Sequence, residues 1–183
     1  MNRLLVWEAR MQKKEEEIQI RRLTPDGPFD LDGINRLILS LGPDREPMSE
    51  DGLRGLLRQQ PMHVFLVAET SEGQCVGTRY MVVAETPGGG LFAYGGWLAV
   101  DPAYRRRGIA ERLLRTGVAL TKDICEARRQ RVFLLGTSNA TRAPMHALME
   151  KMFHDIGYEH VGEPCGERGV HTYRLVLRPP PQD

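Results

Sequence analysis

The stretch from Trp97 to Arg129, WLAVDPAYRRRGIAERLLRTGVALTKDICEARR, restricts the fold more than any other part of the chain. It opens as the end of an apolar strand, Trp97-Leu98-Ala99-Val100, breaks at Asp101-Pro102 and passes through the basic turn Arg105-Arg106-Arg107-Gly108. Ile109, Leu113, Leu114, Val118, Leu120 and Ile124 then recur at helical spacing, largely on one face. A helix N-terminus leaves its first N–H groups unbonded and carries the positive end of the macrodipole, so a turn of this kind attracts phosphate. Gly108 has no Cβ to obstruct a ligand, Ala110 keeps the next position small, and three arginines add charge. The ligand this implies is a pyrophosphate.

Neither of the two commonest glycine-rich phosphate loops is present: there is no GxxxxGK[ST], and no GxGxxG followed by an acid about twenty residues on. The order Arg105-x-x-Gly108-x-Ala110 after a strand resembles the [QR]xxGx[GA] element of the GNAT superfamily of acyl-CoA-dependent N-acetyltransferases, and VDPAYRRRGIAERLL matches it along its length. The resemblance implies that Arg105, Arg106, Arg107, Gly108, Ile109 and Ala110 hold the pyrophosphate of acetyl-CoA, while backbone groups of Leu98, Ala99 and Val100 meet the pantetheine arm and the thioester carbonyl.

The remaining elements follow from pattern. Glu17 to Leu23 reads as a first strand, and helices are expected over Phe29 to Leu41 and from Ser49 to just before Pro61, with a flexible GPDREPM loop between them. His63 to Glu69 and Cys75 to Glu85 form a hairpin, Gly77 marking a bulge or a close backbone approach, and Leu91 to Val100 returns as the strand into the phosphate turn. Val132 to Gly136 is a short buried strand that the long helix makes parallel to the strand ending at Val100. A helix from about Thr141 to Ile156 and a strand from Thr172 to Leu177 complete the domain. The expected class is α/β with the GNAT fold: a mixed, mostly antiparallel sheet with a splayed parallel strand pair, flanked by helices. Residues 1–14 read as a helical N-terminal extension and 15–183 as one domain.

Composition constrains partners more than chemistry. With 25 Lys and Arg against 24 Asp and Glu, the net charge of +1 gives no general reason for nucleic acid or a membrane surface. Cys75, Cys125 and Cys165 are odd in number and unpatterned, which suits a reducing compartment, and the cytoplasm is the expectation. His154, His160, Cys165 and His171, at spacings of 6, 5 and 6, match no compact zinc pattern and are expected to lie in a polar loop, so no metal is expected.

Acetyl transfer needs an unprotonated amine, a donor for the carbonyl oxyanion and a proton for the leaving thiolate. In the family that the motif resembles, the base is often an acid on the strand before the phosphate turn; Leu91 to Val100 has none, and Glu69, Glu85 and Asp101 are expected to be solvated or structural. Tyr94 is the titratable side chain within that strand, able to order a water, with a plain core position as the blander reading. The family often places a Tyr four residues before the Gly that ends the last helix; here Phe153 precedes Gly157 and cannot donate a proton, leaving it a cofactor contact. His146 stands where NxxMxxLxxxxGF branches have Asn, and is the second catalytic candidate; Asn139 is a candidate pantetheine contact. His63 and His171 read as structural. The resulting expectation is an N-acetyltransferase acting on an amine of unspecified identity, with a non-catalytic acyl-CoA sensor as the alternative and a homodimer left open.

Overall fold

The computed structural model describes residues 17–59, 62–86, 90–139, 143–165 and 169–179; the expected extension over residues 1–14 lies outside them. The elements are β1 (Gln19–Arg22), α1 (Leu31–Leu39), α2 (Glu50–Leu57), β2 (His63–Glu69), β3 (Cys75–Glu85), β4 (Leu91–Val100), a 3-10 turn (Pro102–Tyr104), α3 (Ile109–Arg128), β5 (Val132–Asn139), α4 (Ala143–Ile156), β6 (Glu159–Cys165) and β7 (Val170–Leu177). They build one seven-stranded sheet in the order β1-β2-β3-β4-β5-β7-β6. Every neighbouring pair is antiparallel except β4 and β5.

Helices cover both faces. On one, α1 and α2 bury Ile34, Leu37, Ile38, Leu53 and Leu57 against Leu23, Phe65, Val67, Cys75 and Ala99. On the other, α3 and α4 pack Leu114, Cys125, Met152 and Phe153 against Leu91, Ala93, Val132, Leu134 and Tyr173. Asp30 fixes the start of α1: its Oδ1 accepts from the Gly33 N–H at 2.9 Å and its Oδ2 from the Cys75 N–H at 2.9 Å, tying the helix cap to β3. The GPDREPM segment is less free than its composition implies, because Asn35 bonds both the N–H and the carbonyl of Met48, at 2.7 and 2.9 Å.

The buried stripe of α3 differs from the expected one. It runs Ile109, Leu113, Leu114, Gly117, Thr121, Cys125, with Val118 and Ile124 only partly buried at its margin. The reason lies in β3: a Cβ at Gly117 would stand 2.5 Å from Met81 Sδ and 2.8 Å from Arg79 Nε, so a large side chain from the strand fills the space and the helix supplies none.

Two bulges shape the centre of the sheet. One places Val76 out of register beside Gly77, where a Cβ would stand 3.1 Å from Ile109 and 3.2 Å from Leu113 of α3. The other sits in β4. Between the partners Thr78↔Ala99 and Tyr80↔Gly96, β3 spends only Arg79 where β4 spends Trp97 and Leu98, and Trp97 takes φ 51°. Such a bulge sharpens local twist. Beyond Tyr94↔Leu135 the pairing of β4 with β5 ceases, while β4 continues on β3 as far as Val100 and β5 on β7 as far as Asn139. The sheet therefore opens as a V between two strands that each remain paired on their outer side.

One strand escaped the sequence reading. Glu159–Cys165 is β6, an edge strand on β7, and not the polar loop expected there. Its Gly162 and Pro164 and the register shift between Val161 and Cys165 erase the alternation that marks a strand.

Candidate active site

The basic turn follows the arm of β4 that has parted from β5. Gly108 caps α3 in the left-handed conformation, φ 70°, with no side-chain cap, and a Cβ there would meet nothing within 4 Å. The first intrahelical bond is Arg112 N–H to Gly108 C=O at 3.0 Å, so the N–H groups of Ile109, Ala110 and Glu111 have no acceptor within the helix. Arg105, Arg106 and Arg107 are exposed around this point. Arg105 Nε donates to the Val100 carbonyl at 3.1 Å, and the Arg107 guanidinium lies 4.9 Å from the Tyr104 ring centroid. Unbonded N–H groups, open space and three cations fit a pyrophosphate. Ile109 contributes only its backbone, because its side chain is buried in the core with Val64, Val76 and Met81.

The arm of β4 leading away from this turn presents backbone to the V. Asp101 N–H donates to the Val76 carbonyl at 2.9 Å, which by antiparallel alternation points the backbone groups of Ala99 at β3 and those of Leu98 and Val100 at the opening. The Ala99 side chain turns into the core beneath α1 and α2.

At the vertex the two faces differ. Toward α1 and α2, Tyr94 is 40% exposed and its hydroxyl stands 3.5 Å from Thr137 Oγ1 across the V, which replaces the core position with a place at the mouth of the opening. Nearby, Tyr80 Oη lies 2.6 Å from His63 Nδ1 and its ring stacks on Trp97 with centroids 4.8 Å apart. Toward α3 and α4, Arg79 is only 3% exposed. The Tyr158 hydroxyl is the polar group set against the guanidinium, at a geometry too loose for a full hydrogen bond. Burial pushes the Tyr158 phenol up to about 12, with the Arg79 charge pulling the other way. Sequence reasoning missed Arg79, Thr137 and Tyr80; the signal for Arg79 was a cation in the middle of a mostly apolar strand.

Phe153 lies in the core, stacked on Tyr173 with centroids 4.9 Å apart, and fills the place a Cβ at Gly136 would take. His146 is half-buried on the first turns of α4, with its ring centroid 4.4 Å from that of His171. The side chain of Asn139 falls outside the described residues. Of the acids, Glu69 corrects the solvated reading: it is buried and held by Arg21 through both carboxylate oxygens. Asp101 caps the 3-10 turn and Glu85 is exposed. Among the described residues no three His, Cys, Asp or Glu side chains converge to hold a metal, and no helix is long and apolar enough to cross a membrane.

This architecture recurs in solved structures. An acetyltransferase of the GNAT family from Streptococcus pneumoniae superposes with a TM-score of 0.66 at 15% identity, covering 88% of this chain and 99% of that one. The structure of the NatC complex bound to Gag peptide and CoA matches at 0.63 and 19% identity, over 88% of this chain and 98% of that one. An aminoglycoside acetyltransferase from an uncultured soil metagenomic sample, solved with trehalose, matches at 0.59 and 22% identity, over 79% and 92%. No curated protein matches the chain in sequence. The family model described as an acetyltransferase (GNAT) domain matches residues 61–160, from the β2 strand through the phosphate turn and into β6. That span is more than half of the chain and contains the whole V, and the chain belongs to the GNAT acetyltransferase family.

Proposed function

We propose that the chain transfers an acetyl group from acetyl-CoA to an amine, by direct attack with both substrates bound. The observation that carries this reading is that β4, past the point where it parts from β5, leads through a short turn into the uncapped N-terminus of α3. Arg105 to Ala110 would hold the pyrophosphate and the β4 edge the pantetheine, with an N–H at Leu98 or Val100 as the oxyanion donor.

The amine would enter from the α1 and α2 face, where Tyr94 and Thr137 border the opening. No acid stands on β4, so deprotonation falls to a water ordered by Tyr94. The structural relatives include an aminoglycoside acetyltransferase and a complex solved with a peptide, which supports an amine acceptor of either kind. Cys75 and Cys125 are both free and buried, which supports a reducing compartment, the cytoplasm, and argues against a thiol nucleophile.

The second reading is an acyl-CoA sensor, favoured by the core position of Phe153. Thermal unfolding with saturating acetyl-CoA should show a rise of several degrees, and no rise would refute the cofactor assignment. Free CoA released on adding peptide or aminoglycoside amines separates the enzyme from the sensor.

A further inference from the structure

Two glycines stand at the vertex of the V, one on each strand. Tyr94↔Leu135 is the last pair joining β4 to β5, so Gly95 and Gly136 are the first residues past it. Toward α3 and α4, large side chains take the Cβ places of both. A Cβ at Gly95 would stand 2.5 Å from Arg79 Nη2, and one at Gly136 would stand 2.5 Å from Cε1 and Cζ of Phe153. Arg79 thus covers the β4 side of the vertex and Phe153 the β5 side. Tyr158 touches the two: its ring centroid is 4.9 Å from that of Phe153, and its hydroxyl is set against the guanidinium.

The slot for Arg79 is made by glycine on both walls. Opposite Gly95 is Gly117 of α3, where a Cβ would stand 2.8 Å from Nε, although glycine is a poor residue inside a helix. No acid among the described residues pairs with the guanidinium. Burial lowers its pKa, but a guanidinium starts so far above neutrality that it stays charged. A buried cation without a counter-ion favours an anion that arrives beside it. The side chain leaves β3 opposite the bulge at Trp97 and Leu98 and ends at Gly95, so it runs beneath the part of β4 between Leu98 and the vertex.

We propose that the fixed charge of Arg79 stabilises the departing CoA thiolate, in place of the tyrosine hydroxyl that Phe153 lacks. The inference rests on the transferase reading above: with the acyl carbonyl on the Leu98 N–H, the sulfur lies along the stretch that Arg79 underlies. In the step, the amine nitrogen bonds to the acyl carbon and the C–S bond breaks. The electron pair leaves on sulfur as a thiolate, and the proton lost by the amine nitrogen goes to the water at Tyr94. Sulfur takes a proton from solvent after release, so no side chain has to donate one. Tyr158 is a poor donor for the step, because burial pushes its phenol up to about 12, far above a thiol at about 8.5.

The test binds free CoA to the protein and titrates its thiol by the ultraviolet absorbance of the thiolate. In the parent, the thiol should titrate roughly 1–3 pH units below the ordinary value of about 8.5, and in Arg79→Met it should return to that value. With acetyl-CoA and whichever peptide or aminoglycoside amine the parent acetylates, Arg79→Met should lower kcat by about 100-fold. Its calorimetric affinity for acetyl-CoA, whose sulfur is uncharged, should stay within about twofold. Arg79→Gln keeps hydrogen-bond donors without the charge; it should lose as much, and it gives the same reading if the Met variant does not fold. Tyr158→Phe should keep both turnover and thiol titration close to the parent's. An ordinary thiol titration in the parent, parent-like turnover in either arginine variant, or an equal loss in Tyr158→Phe would overturn the role of Arg79 while leaving the transferase standing. A parent that binds acetyl-CoA but releases no CoA with any amine would instead overturn the transferase reading, and the thiol titration would still decide whether the charge lies beside the sulfur.

Discussion

Arg79 lies flat across Gly95, so that a Cβ at that glycine would sit 2.5 Å from Nη2 and 3.0 Å from Cζ. The guanidinium is thereby held under the vertex of the V, sandwiched between Gly95 of β4 and Gly117 of α3, with no acidic partner among the described residues. A buried cation without a counter-charge costs stability. Arg79→Met, which keeps the straight stem, should therefore match or exceed the parent in urea melts. Gly95→Ala should lose about 1–3 kcal/mol by overpacking.

Asp30 bonds two backbone N–H groups that belong to different elements. Asp30→Ala removes the α1 cap and leaves the N–H of Cys75 without its acceptor, and should cost about 2 kcal/mol. Asp30→Asn, which keeps one accepting oxygen, should cost less. Equal losses for the two variants, read from denaturant midpoints, would show that the bond Asn retains contributes nothing.

The Cys75 thiol is fully buried, and burial pushes it up to about 12 from 9.0. The unfolded chain therefore gives up this proton near pH 9 while the folded chain retains it. Stability is complete below pH 9 and falls as the pH rises from about 9 towards 12, by up to a few kcal/mol. Cys75→Ala should flatten that alkaline slope in urea melts between pH 8 and pH 11, and native Cys75 should resist alkylation at pH 8.

Much of this fold is legible because its decisive signals are local. Strands β2, β3 and β4 and the first residue of α3 stand where alternation, turn residues and the Gly108 cap put them. The parallel pair follows from chain order alone, since a helix separates the two strands. What could not be read depends on register. The bulge at Trp97 and Leu98 decides which side chains face the V, and nothing in the local sequence announces it. Tyr94 and Thr137 meet across 43 positions, and His160 and His171 across a β6 strand that glycine and proline disguise. Phe153 illustrates the converse: the motif names the position, but only packing shows the ring buried against Gly136 and Tyr173.

Gly108 is a clean site for testing the cradle, since a Cβ there would meet no protein atom within 4 Å. Gly108→Asp should fold, with a loss of about 1 kcal/mol from the positive φ, and should abolish acetyl-CoA binding by calorimetry through charge and bulk. Retained affinity would place the pyrophosphate elsewhere.

The central claim is that the V joins a CoA donor to an amine. Its most direct test is mass spectrometry of peptide and aminoglycoside amines incubated with the protein and acetyl-CoA, with thiol release followed in parallel. The account predicts an N-acetylated product formed one for one with free CoA, and none formed by Gly108→Asp. Tight acetyl-CoA binding with neither product nor thiol from any amine would contradict it and make the chain a sensor.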